Sequence, residues 1–79
     1  MDRNELIEFL KDCVAQIYKA DANSLSENTN LPQEFGTNSL QRVGLCSLIE
    51  NDTDILISVG DIGKYPTIGN LADYILKNM

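Results

Sequence analysis

Apolar residues recur at helical spacing in this chain and nowhere alternate for long, which confines it to an all-α fold. Leu6, Leu10, Cys13, Val14 and Ile17 follow the i, i+4, i+7, i+8 pattern of one helix face. They predict a helix over about residues 4–19, capped by Asp2 or Asn4. Near the other end Ile68, Leu71, Ala72 and Ile75 repeat at i, i+3, i+4, i+7 behind Thr67, a good N-cap. A second helix is expected from Asn38-Ser39 to about Asn51, and a short one near residues 61–65 that Pro66 would stop. Ile55-Leu56-Ile57-Ser58-Val59 is the one strand candidate, and it is brief. Residues 20–38 show no period and are rich in Asn, Ser, Thr and Glu. A connection this long either crosses the bundle or carries a functional surface. Leu25, Leu31 and Phe35 are the residues expected to pin it to the core. The expected architecture is a small bundle of three main helices plus one short helix, with a long first loop.

Seventy-nine residues suffice for one domain, taken as 1–79, with a single modest core. Little scaffold remains to hold a catalytic pocket, so a carrier or binding module is expected rather than an enzyme. Six Lys and Arg against twelve Asp and Glu give a net charge of −6. That balance disfavours nucleic acid and anionic membrane surfaces and favours partners with basic patches. No apolar run is long enough to span a bilayer, and Met1-Asp2-Arg3-Asn4-Glu5 lacks the pattern of a signal peptide. A cytoplasmic monomer is the default expectation. Cys13 and Cys46 both fall inside apolar helical patterns, as reduced core thiols would. With no histidine, metal sites of the Cys/His kind and His-based nucleophilic catalysis are disfavoured. Asp52 and Asp54 lack the glycine and distal glutamate of a calcium loop, so no metal is expected there.

The second helix departs from the amphipathic rule. Leu40, Val43, Leu45, Cys46, Leu48 and Ile49 spread around nearly its whole circumference. A helix apolar on all sides is normally buried on all sides, and so short a chain has few elements to surround one. Leu45, Leu48 and Ile49 suit the core, whereas Leu40 and Val43, beside Ser39, suit an open side. With Arg42 and Ser47 they form a candidate partner-docking surface; the competing reading is that all six apolar residues are core. Leaving a Leu or Val exposed forgoes roughly 1.5–3 kcal/mol, a large sacrifice for a small fold.

Gly36-Thr37-Asn38-Ser39-Leu40 resembles the Gly-x-Asp-Ser-Leu signature of acyl and peptidyl carrier proteins. Tyr65-Pro66-Thr67-Ile68-Gly69-Asn70-Leu71-Ala72-Asp73-Tyr74-Ile75 is similar to that family's Thr-(Val/Ile)-Gly-Asp-Leu-x-x-Tyr-Ile stretch, and the likeness covers nearly the entire chain. The resemblance implies that Ser39 receives a covalent 4′-phosphopantetheine from a phosphopantetheinyl transferase using coenzyme A, with Asn38 and Leu40 as the flanking motif. It implies that the terminal thiol then carries acyl groups as thioesters between acyl-transferring and condensing enzymes. The carrier would be a substrate, not a catalyst.

Local physics agrees with this placement. With Asn38 as N-cap, Ser39 falls at the first helical position and Gln41 at the third, an Asn-x-x-Gln capping box that leaves the serine hydroxyl unused. The alternative is that Ser39 itself caps the helix and is tied up. Gly36 lets the loop turn sharply into the helix.

Two departures from the family pattern matter. Asn38 stands where the family usually has Asp, and from Ser39 to Asn51 the helix carries only Arg42 and Glu50. The missing acidic strip points to a specialised fatty acid, polyketide or related pathway rather than housekeeping fatty acid synthesis. An acyl cargo would be sheltered among Leu10, Val14, Leu48, Ile49, Ile62, Leu71 and Ile75. Two other readings stay open: an aminoacyl, peptidyl or D-alanyl carrier, and an unmodified carrier-fold interaction module.

Overall fold

A computed structural model describes all 79 residues, Met1–Met79. Its five α-helices are α1 (Arg3–Tyr18), α2 (Leu31–Phe35), α3 (Ser39–Thr53), α4 (Val59–Lys64) and α5 (Ile68–Lys77), with a 3₁₀ turn at Ala22–Ser24. The all-α expectation holds; α1 and α5 lie where periodicity put them, and α3 begins at Ser39 behind the expected cap. α1 starts behind Asp2, whose Oδ1 accepts from the Glu5 N–H at 2.8 Å while Glu5 Oε1 accepts from the Asp2 N–H at 3.1 Å. That reciprocal pair satisfies two donors the helix start would otherwise leave open. α5 starts behind Thr67, whose Oγ1 accepts from the Asn70 N–H at 3.0 Å.

α1 packs against both α5 and α3, and α4 closes on α3. Their shared interior holds Leu6, Leu10, Val14, Leu45, Ile49, Ile62, Leu71 and Ile75, all fully buried, and no polar or charged residue. The first loop is more structured than its composition suggests. Asn30 caps α2 by accepting from the Gln33 N–H at 3.0 Å, and Pro32 sits in the first turn, where its missing N–H costs nothing. Leu25 and Leu31 are buried, and half-buried Phe35 stacks on Tyr18 with ring centroids 4.7 Å apart. The same loop is strapped to the start of α5 by main-chain bonds. Leu31 N–H donates to Pro66 O at 2.8 Å, Ile68 N–H to Thr29 O at 3.2 Å, and Gly69 N–H to Glu27 O at 2.8 Å. Arg3 adds side-chain ties from α1 to Glu27 at 2.8 Å and to Asp73 of α5 at 2.7 Å.

The second loop corrects two details of the sequence reading. Ile55–Ser58 forms no helix and pairs with no strand. Ile57 is buried and Leu56 is 76% exposed, so its alternation records an edge lying on the core. The short helix begins at Val59 rather than near Asp61. Ser58 caps it, and Asp61, expected to start the helix, is instead the third residue of a capping box with Ser58.

Candidate functional site

Gly36 ends α2 at φ +82°, a conformation that favours glycine, and turns the chain toward α3. Asn38 is extended (φ −61°, ψ 118°), and its side-chain oxygen accepts from the Gln41 N–H at 3.1 Å. Asn38, not Ser39, therefore caps α3, and the Ser39 side chain makes no hydrogen bond. Gln41 makes no return bond to the Asn38 N–H, so only half of the expected capping box is present. The whole run Gly36-Thr37-Asn38-Ser39-Leu40 is exposed. Ser39 Oγ thus stands in solvent at the positive end of a helix of 15 residues.

The four residues expected to dock a partner do not share one surface. Leu40 (81% exposed), Val43 (50%) and Ser47 lie together on the outward face, at the i, i+3, i+7 spacing of one helix side. Leu45 and Ile49 turn into the core, as does Cys46, and Leu48 is half-buried. Arg42 is separated from the docking trio. It is half-buried and lies against α4, where a Cβ added at Gly63 would be 3.3 Å from its Nη1. Sequence reasoning passed over Leu56, a further exposed apolar side chain. The alternation of Ile55, Leu56 and Ile57 was the signal, since only its outer two members could both face inward.

α3 also runs two residues further than expected, so Asp52 joins Arg42 and Glu50 as its charged residues. Its first acid is Glu50, three turns from Ser39, and the outward trio is uncharged.

Both thiols are shut away. Burial, with the charges of Asp52 and Asp12, pushes Cys13 up to about 11. Burial, then the charge of Asp61, raises Cys46 as well. Neither is bridged, and neither supplies thiolate at neutral pH. The two surface depressions lie elsewhere, one over Asn4, Glu5, Glu8 and Asp12, the other over Tyr65, Asn70, Asp73 and Lys77. Neither falls among the core residues expected to shelter a cargo, of which all but half-buried Leu48 are fully buried.

Comparison with known proteins places these features in context. A family model described as the phosphopantetheine attachment site matches residues 8–75. An acyl carrier protein of Lactobacillus acidophilus is 27% identical over 75 residues, covering 95% of this chain and 94% of that protein. One from Thermotoga maritima is 25% identical over 77 residues, covering 98% and 95%. One from Saccharopolyspora erythraea is 25% identical over 76 residues, covering 96% and 80%.

Proposed function

Because this chain belongs to the phosphopantetheine-binding family of acyl carrier proteins, we propose that Ser39 is its attachment residue and that it carries acyl intermediates for a specialised fatty acid, polyketide or related pathway. Family members are carriers of a covalent 4′-phosphopantetheine and are not themselves catalysts. The observation that carries the assignment to Ser39 is its unengaged, exposed hydroxyl at the first position of α3, with Asn38 doing the capping.

The residues present fit the group. Ser39 offers the oxygen, and the exposed run 36–40 lets a transferase approach it. An anion there meets the α3 dipole favourably, by about 0.3–1 kcal/mol at an exposed site. No side chain of this protein is bonded to Ser39, and the chain has no histidine, so the base that takes the serine proton belongs to the transferase. When bound, the group supplies a thiol on a long arm, which holds a cargo as a thioester. Leu40, Val43 and Ser47 supply an uncharged docking face beside it, for the transferase and the acyl-transferring and condensing enzymes. Exposed Leu40 forgoes roughly 1.5–3 kcal/mol of burial, a loss that a partner's apolar surface would recover. The absence of acids on that face favours partners other than enzymes that recognise an acidic strip.

Incubation with coenzyme A and a broad-specificity phosphopantetheinyl transferase tests this by intact mass. A gain of one phosphopantetheine is expected, and none for Ser39→Ala. A full-length protein that stays unmodified would instead be an interaction module. Subsequent loading by acyl-activating rather than aminoacyl-activating enzymes is expected; the reverse result would make it an aminoacyl, peptidyl or D-alanyl carrier.

A further inference from the structure

Arg42 is half-buried along its stem and in no ion pair, with its guanidinium nitrogens open to solvent. Among the other cations, Arg3 and Lys11 are in ion pairs, and Lys19, Lys64 and Lys77 are exposed. Arg42 alone is half-buried and in no ion pair. The acid of the helix it lies against, Asp61, is committed elsewhere: it accepts from the Ser58 N–H at 3.0 Å and from the Tyr74 hydroxyl at 3.4 Å. The Arg42 stem lies on the protein while its guanidinium nitrogens reach water unpaired, so the planar fork is free to take an anion.

Placement identifies which anion. Arg42 follows Ser39 by three residues, which makes the two neighbours on the helix surface. Side chains on a helix tend to lean toward its N-terminus, a direction that brings the turn beginning at Ser39 within the reach of an arginine at position 42. Gly63 leaves the guanidinium its seat on α4, since any side chain there would crowd Nη1. At 100° per residue Arg42 lies about 160° round α3 from Leu40, away from the docking trio. We propose that Arg42 is the internal counter-charge of the phosphodiester on Ser39, its planar fork donating to the non-bridging oxygens. This would anchor the root of the arm toward the α3–α4 seam and leave the Leu40–Val43–Ser47 face clear. The proposal rests on the reading of Ser39 given above.

Arginine side-chain NMR of the whole protein before and after modification provides the test. Only two arginines are present, and Arg3 is already paired with Glu27 and Asp73, so it serves as the internal reference. On conversion to the modified form the Arg42 Nε–H signal is expected to shift and its solvent exchange to slow, with Arg3 unchanged. The ³¹P signal is expected to move in Arg42→Gln and to be partly restored in Arg42→Lys, which keeps the charge but not the fork. An Arg42 signal identical in both forms, with a ³¹P signal indifferent to Arg42→Gln, overturns the proposal while leaving Ser39 as the attachment residue. A protein that gains no mass overturns both.

Discussion

Cys13 is 4% exposed and lies in a wholly apolar interior, where its thiolate is strongly disfavoured. The sign of its effect on stability follows directly. The folded state holds the Cys13 proton up to about 11, whereas the unfolded chain releases it near 9. Between those values the folded state binds more protons, so stability is full below about pH 9 and falls as pH rises toward 11. Cys46 and Tyr18 are raised by burial too and push the same way. The urea midpoint is expected to drop between pH 8 and 10.5, less steeply in Cys13→Ala; a flat midpoint would refute the burial argument. At Ser39 the sequence was more telling than at Arg42. Asn38 ahead of Ser39 signals a cap by its own chemistry, so the unused hydroxyl was legible from two adjacent letters. The seat of Arg42 was not, because Gly63 lies 21 residues further on and only the packing of α4 on α3 brings it near.

Among the elements, α1 and α5 were legible because each buries one continuous stripe, and α3 because its first residue follows a cap. α2 was missed: five residues hold barely one helical turn, too few for a period to register. Its signals were there in Asn30 and Pro32, a cap followed by a proline in the first turn. Ile55–Val59, a brief strand candidate, pairs with nothing; its burial alternates because Ile57 lies on the core while Leu56 faces out. The strap between the first loop and α5 is the feature no local pattern could reveal. It brings Gly69 so close to the loop that an added Cβ would sit 3.0 Å from the Glu27 carbonyl oxygen, which is backbone and cannot swing away. Gly69→Ala would gain about 1 kcal/mol of helix propensity. The forced shift of the strap costs typically 1–3 kcal/mol. A net loss is therefore expected, read as a lower urea midpoint with unchanged slope; a gain would mean the strap yields freely.

For the molecule as a whole, charge is the dominant long-range term. Only three of its twelve carboxylates, Glu8, Glu27 and Asp73, are in ion pairs, and all three are substantially exposed. Such pairs contribute typically about 0.2–1 kcal/mol each. Nine carboxylates without a cationic partner repel one another in a protein of −6 net charge, so screening relieves more than it removes. The melting temperature is expected to rise between 20 and 300 mM NaCl; a fall would mean that the Arg3 cluster outweighs the repulsion. One consequence of the cap at Asn38 reaches furthest. Since Ser39 contributes no bond to the architecture, the fold is indifferent to what is written at that position. Were Ser39 to carry the arm proposed above, blank and loaded copies would present the same helices, and a protease that recognises unfolding would have nothing by which to sort them. Loading would then be read by touch, by an enzyme that engages the arm itself.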